Sequence, residues 1–316
     1  NKLEKGAFLL SDLEEDMLKR VSAAFQNTIV LLNTAGLIDM GFMDRYDISA
    51  VMYVWQGGMV GGTGTAMVLT GEVSPSGKLP DTIAYSVSDY PSDKYFGSGE
   101  EDRYGEDIYV GYRYFETFAR DKVRFPFGFG LSYTTFGMAA EFTSGEDSVS
   151  ANVTVTNTGS VPGREVVQIY CEAPQGRLGK PARVLCGFDK TWTIKPGESE
   201  RLTIDIPVES LASYDDSGAT GHRYCWILEG GTYRLLQELS LGPAAEDSAS
   251  YDLTIRDGFI VVLWDNQLTV LSRTEEGYHL DYTCPTQTAY VTGYTVSFTD
   301  PELEKQGDED AMPYTV

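Results

Sequence analysis

The chain has 316 residues, enough for two or three domains that each bury a core, at roughly 100–200 residues per domain. It carries 47 acidic against 24 basic side chains, a formal charge of −23 at pH 7, and such a field repels a phosphate backbone, which excludes nucleic acid as a partner. No apolar run approaches the roughly 20 residues that cross a bilayer, so no membrane partner is expected, and the four cysteines (Cys171, Cys186, Cys225, Cys284) contain no Cys-x-x-Cys pair, the pattern of reduced thiols in a cytoplasmic protein.

The first residue is Asn, and residues 1–6 lead into a helix without the strand that an α/β unit places before it, so the N-terminus is expected to be a cut. Ser11 and Glu14 have capping-box spacing, and Leu13, Met17, Val21 and Phe25 then recur at helical intervals, which predicts a helix over about 12–25. Residues 28–32 (TIVLL) and 50–55 (AVMYVW) are apolar runs without alternation, as in parallel strands covered on both faces. The glycine-rich stretch 57–64 precedes a helix over 66–69, yet no register supplies the glycine spacing of a dinucleotide fold. Residues 71–78 (GEVSPSGK) miss the phosphate-loop spacing, lack its final Ser/Thr and read as a turn.

Residues 89–107 are polar and form a linker, followed by a dense aromatic strand over 108–118 (IYVGYRYFETF) and a connecting segment over 125–136 (FPFGFGLSYTTF). After Gly137 the period becomes two. Val149, Ala151, Val153 and Val155 alternate with polar residues, as do Val167, Ile169 and Cys171, and Leu202, Ile204 and Ile206, with turn signals at 157–159 and 196–197; this predicts a β-sandwich. Beyond 241 the chain stays β-like at 259–264, 268–271 and 290–298, and it closes on an acidic stretch over 302–310.

His222 and His279 both lie beyond the α/β segment, so neither a Ser-His-Asp triad nor a His-rich metal site is expected there, and each reads as a surface or loop residue. Paired carboxylates remain the natural chemistry, as in glycoside hydrolysis, but the acids are too numerous to single out a pair. The cluster Glu100, Glu101 and Asp102 reads as a solvated loop beside Gly97, Ser98 and Gly99.

Four segments in order, 50–64 (AVMYVWQGGMVGGTG), 71–80 (GEVSPSGKLP), 106–118 (EDIYVGYRYFETF) and 125–136 (FPFGFGLSYTTF), resemble glycoside hydrolase family 3. In the sandwich, 185–190 (LCGFDK), 194–198 (IKPGE), 210–215 (SLASYD) and 228–233 (LEGGTY) resemble the fibronectin-III-like domain that follows in that family; the match covers about 6–233 and fades at 234–237 (RLLQ), where a Val-Gly pair is usual. The resemblance implies a partial α/β sandwich domain with a mostly parallel sheet and aromatic linker over 1–136 and a fibronectin-III-like β-sandwich over 137–240; with the β-rich tail of unknown type that the strand-like runs predict over 241–316, the chain is expected to be α/β plus all-β.

It further implies part of a retaining β-glycosidase of β-glucosidase or β-xylosidase type acting on a β-linked oligosaccharide or glycoside, with no cofactor or metal. The family's nucleophilic Asp sits on a (β/α)8 barrel that this chain lacks, and the acid/base Glu on a loop just upstream of Asn1; Glu4 aligns after that position, so no catalytic residue is assigned. In permuted members the barrel follows the sandwich domains. Trp55, its glycines, Lys78 and Pro80 are expected to be structural, and Tyr109, Tyr112, Tyr114, Phe115, Phe125, Phe127 and Phe129 to fix one domain against the other. Two rival readings stand beside this one: a non-catalytic carbohydrate-binding or scaffold protein, and a doubly wound nucleotide-binding enzyme, against which the glycine spacing counts.

Overall fold

The computed structural model describes residues 5–95, 103–145, 147–237 and 249–255, together with the backbone of Glu238 and of five strands between 259 and 296. Glu4, the cluster Glu100–Asp102, Cys284 and the acidic stretch 302–310 lie outside the described residues.

Ser11 caps the first helix, α1 (Asp12–Ala24), through the reciprocal bonds that its spacing predicts, with the Ser11 N–H donating to the Glu14 carboxylate at 2.8 Å. The helix buries Leu18, while the apolar row that the sequence places on one face points outward: Leu13 is 83% and Phe25 65% exposed. The strands β1 (Ile29–Leu32) and β2 (Ala50–Tyr53) pair in parallel, Ile29 opposite Ala50 and Leu32 opposite Tyr53, with the short helix α2 (Phe42–Arg45) between them. Leu18, Leu32, Met40, Phe42 and Ile83 form this segment's core.

Coverage on both faces of the sheet is not met among the described residues. Alternate residues of β1 differ: Leu32 is buried, whereas Ile29 and Leu31 are exposed. The apolar run specifies two covered faces, and the described chain supplies packing to one.

The helix α3 (Gly61–Leu69) starts inside the glycine run, earlier than residue 66. A Cβ on Gly57 would stand 2.9 Å from the Gly61 Cα, so only glycine admits that close approach. The strands β3 (Ile83–Ala84) and β4 (Val123–Phe125) pair antiparallel, and between them the described residues include 3₁₀ turns over 87–89, 91–95 and 120–122.

The expected aromatic strand at 108–118 is instead a turn followed by the helix α4 (Tyr112–Phe118). Aromatic density favours a strand on propensity, but Gly111, with φ +59°, turns the chain, and the three-residue spacing of Tyr112, Phe115 and Phe118 then suits a helix. Phe115 is 1% exposed and packs with Ala84 and Ala119.

The sandwich follows as predicted. One sheet joins β5 (Phe136–Ser144), β6 (Ser148–Asn157) and β9 (Ser199–Pro207); the facing sheet contains β7 (Val166–Glu172) and β8 (Val184–Lys190). Val149, Ala151, Val153 and Val155 from β6 meet Val167 and Ile169 from β7 in one core, all completely buried, at about 1.5–3 kcal/mol for each valine or isoleucine withdrawn from water. Asn157, itself fully buried, pins the turn after β6 by donating to the carbonyls of Val161 and Ile194, both at 2.8 Å.

A short strand β10 (Ser213–Asp215) pairs with β11 (Cys225–Leu228), and β12 (Gly231–Glu238) lies beside β7. The facing sheet continues past residue 240, where the sequence reading ends the sandwich. The strand β13 (Ser250–Ile255) runs antiparallel along β12 and sends Ile255 into the core. Its Tyr251, Leu253 and Ile255 alternate, but the non-alternating stretch between β12 and β13 hides the continuity in sequence. The backbone of β14 (Phe259–Trp264), β15 (Gln267–Thr274), β16 (Gly277–Leu280), β17 (Tyr290–Thr292) and β18 (Thr295–Val296) extends the β10–β11 pair as an antiparallel meander.

Candidate functional site

Two features qualify, the junction between the α/β segment and the sandwich and the open side of the parallel sheet. At the junction Tyr112 is central. Its ring stacks on Phe127 with centroids 4.7 Å apart, meets Tyr170 of β7 edge-on at 6.2 Å, and its hydroxyl accepts a hydrogen bond from the Leu185 N–H of β8 at 2.9 Å. One helix residue therefore touches the linker and two sandwich strands. Replacing it by Phe keeps the rings and removes the acceptor, so Tyr112→Phe is expected to lower unfolding stability by about 1 kcal/mol in urea titration, and an unchanged midpoint would count against the bond.

The aromatic residues divide their work. Phe125 joins the core of the α/β segment and packs on Phe129 at 5.1 Å, and Tyr114 and Phe115 stay on the α/β side, so Tyr112 and Phe127 carry the aromatic bridge. Polar bonds complete it. Ala182 N–H donates to Thr117 Oγ1 at 2.9 Å, and Lys190 Nζ to the Ser76 carbonyl at 2.9 Å.

Lys78 does more than order a turn. Its ammonium sits 2.7 Å from the Glu165 carboxylate of the sandwich and donates to the Gly130 carbonyl at 2.9 Å, with both charged side chains mostly buried. Nothing in the sequence marks Glu165, because the pair spans two domains; Lys78 is legible through its motif alone.

At the carboxyl end of β2, Trp55 adopts a left-handed backbone (φ +50°) and packs on Tyr53 with centroids 4.7 Å apart, while the Tyr53 hydroxyl accepts from the Ile38 N–H at 3.2 Å. In open α/β sheets loops at this edge line the ligand crevice. Here that edge carries exposed Met59 and Val60, and α1 and β1 expose Leu13, Met17, Phe25 and Ile29 nearby in the chain. Single exposed apolar residues are ordinary, but a helix with its apolar row turned outward calls for a covering surface.

The remaining sequence candidates fall elsewhere. His222 lies in the loop after β10, its N–H donating to Thr220 Oγ1 at 3.3 Å, and His279 lies on β16. Among the described residues no group of three His, Cys, Asp or Glu is placed to hold a metal, and no helix is long and apolar enough to cross a membrane. Cys171, Cys186 and Cys225 are free thiols, with burial pushing Cys186 up to about 12.

Residues 3–133 match the model of the glycosyl hydrolase family 3 C-terminal domain, and residues 165–240 that of a fibronectin type III-like domain. A β-glucosidase of Ruminococcus albus is 56% identical over 233 residues, 74% of this chain and 25% of its own length, and β-glucosidase A of Butyrivibrio fibrisolvens is 45% identical over 79% of this chain and 32% of its own. Among solved structures, a β-glucosidase from Paenibacillus barengoltzii superposes with a TM-score of 0.76 at 46% identity, covering 81% of this chain and 29% of that one. β-Glucosidase 3B from Thermotoga neapolitana in complex with α-D-glucose gives 0.71 at 36% identity, covering 81% and 35%. The chain thus spans about a quarter to a third of the curated relatives it matches.

Proposed function

Because the chain belongs to glycoside hydrolase family 3, we propose that it forms the second half of the α/β domain and the fibronectin-III-like domain of a retaining β-glycosidase of β-glucosidase type, with both catalytic carboxylates supplied by polypeptide outside residues 1–316. The observation that carries this is the half-covered parallel sheet: α1 and β1 turn Leu13, Met17, Phe25 and Ile29 to solvent in a segment whose other side is a packed core. A finished domain does not leave such a row bare.

Retaining hydrolysis needs an acid/base and a nucleophile about 5–5.5 Å apart, and small displacements are costly to rate. In this reading the chain positions rather than reacts. The Tyr112–Phe127–Tyr170 contact and the Lys78–Glu165 pair fix the α/β segment on the sandwich, so a loop carried by the completed α/β domain holds its place over a β-glycoside bound in the (β/α)8 barrel. The free thiols of Cys171, Cys186 and Cys225 support a reducing, cytoplasmic setting.

A chimera tests it. Residues 3–240 replace the matched segment of the Ruminococcus albus β-glucosidase, and hydrolysis of 4-nitrophenyl β-D-glucoside is measured. The expected result is retained turnover; a soluble, folded chimera without activity contradicts the proposal.

A further inference from the structure

The junction between the α/β segment and the sandwich gathers more positive than negative charge. Lys78 gives its ammonium to Glu165 and to the Gly130 carbonyl. Lys190, at the end of β8, reaches from the sandwich to the carbonyl of Ser76, close before Lys78 in the chain. Arg164, the neighbour of Glu165, donates from Nε to the Thr191 carbonyl at 2.8 Å and lays its guanidinium over the exposed Trp192 ring at 5.7 Å.

Lys78, Arg164 and Lys190 therefore share one carboxylate. Glu165 Oε1 is taken by the Lys78 ammonium and by the Val166 N–H at 2.7 Å, and neither Arg164 nor Lys190 makes an ion pair among the described residues. Two further carboxylates lie near in the chain, and backbone donors engage both: Asp189 accepts from the Lys190 N–H at 2.7 Å and Glu200 from the Trp192 N–H at 2.9 Å. Burial holds the Lys190 ammonium below its ordinary 10.5; the charge of Arg164 works the same way, Glu165 opposes it and Lys78 adds to it. In a chain with 47 acidic against 24 basic side chains, this local surplus runs against the average. Arg164 keeps its two terminal nitrogens, and Lys190 the N–H groups not given to Ser76, for a further acceptor.

We propose that Arg164 and Lys190 form a binding site for a phosphate group, with Lys78 adding its field. A guanidinium offers parallel N–H bonds and an ammonium a point charge, and one phosphate has enough oxygens to accept from both. Its charge relieves the repulsion between the two cations and, through Lys190, ties the Ser76 turn to the sandwich. The chain's −23 opposes entry, but salt screens exposed charges beyond about 8 Å, so the cations at the site decide and the affinity is set near 1 mM. The inference does not rest on the glycosidase reading, because every group in the site belongs to residues 1–316.

The test is a titration of residues 1–316 with inorganic phosphate replacing chloride at constant ionic strength and pH 7, read by the thermal midpoint and by broadening of the ³¹P signal. Both are expected to saturate, with a midpoint rise of about 2 °C and half-effect at a few millimolar. Half-effect should move at least about fivefold higher in Arg164→Gln and in Lys190→Gln, which keeps a donor for the Ser76 carbonyl, and stay in place in the exposed control Lys195→Gln. Circular dichroism shows which variants fold, and if one does not, the other decides. A second arm with phenyl phosphate identifies the source: tighter binding than inorganic phosphate marks an ester whose ring lies on Trp192, and equal binding marks the free ion. No saturable ³¹P broadening overturns the proposal whatever the variants do. So does a midpoint that climbs linearly and equally in parent and variants, which is the general effect of an excluded salt.

Discussion

Lys78→Ala is expected to destabilise the chain by about 3–5 kcal/mol and to split its unfolding into two transitions, the α/β segment melting first. Glu165 then keeps its carboxylate in a site where its side chain is only 6% exposed, without the ammonium that now lies 2.7 Å away. The Gly130 carbonyl loses a donor as well, and the linker there is held closely: a Cβ on Gly130 would overlap the Gly77 carbonyl oxygen. The cost comes from a buried carboxylate that loses its paired ammonium, so removing both charges is expected to recover most of it, and the double variant Lys78→Met with Glu165→Leu should unfold near the parent. Calorimetry checks both. A single variant within about 0.5 kcal/mol of the parent would place the pair among surface ion pairs of little consequence.

Asp215→Ala is the second large loss, about 3–4 kcal/mol, and it falls on the sandwich. Asp215 is fully buried at the end of β10 and accepts from Ser217 Oγ at 3.1 Å, from the N–H groups of Gly218 at 2.6 Å and Ala219 at 3.1 Å, and from both the N–H at 2.8 Å and the hydroxyl at 2.6 Å of Thr220. These bonds shape a loop with left-handed Gly218, Gly221 and Tyr224, which returns the chain to β11. Burial raises the Asp215 pKa, but the hydrogen bonds, led by those of Thr220, outweigh it and hold the carboxyl well below its ordinary 3.8. A depressed folded pKa contributes stability that is fully present above the unfolded value near 3.8 and is lost as pH falls below it. The parent's stability is therefore expected to drop between about pH 4 and pH 2 more steeply than that of Asp215→Asn, as read by urea unfolding at each pH.

Periodicity made most of the fold legible. The capping box at Ser11 and the alternation of Val149 to Val155 are local signals, and the structure repeats them residue for residue. What failed was context. Residues 112–118 have strand-like composition, yet Gly111 and the burial of Phe115 make them a helix. The row Leu13, Met17, Val21 and Phe25 has the right period for a buried face, but within this chain it faces out, because period marks a face and not what packs on it.

The candidate site was legible in part for the same reason. Aromatic density in 109–129 announced an interdomain role, which Tyr112 performs by stacking on Phe127 and reaching Tyr170 of the sandwich. Glu165, Leu185 and Asp215 depend on partners distant in sequence or on loop geometry, and neither leaves a periodic trace.

As proposed, this chain positions chemistry whose carboxylates come from polypeptide outside residues 1–316. That is tested most directly by assaying 4-nitrophenyl β-D-glucoside hydrolysis with purified residues 1–316 alone, and again after co-expression with the remaining portion of the Ruminococcus albus β-glucosidase that this chain does not match. No turnover is expected from the chain alone, and turnover is expected from the co-purified complex. Hydrolysis by residues 1–316 alone, or a stable complex with none, would contradict it.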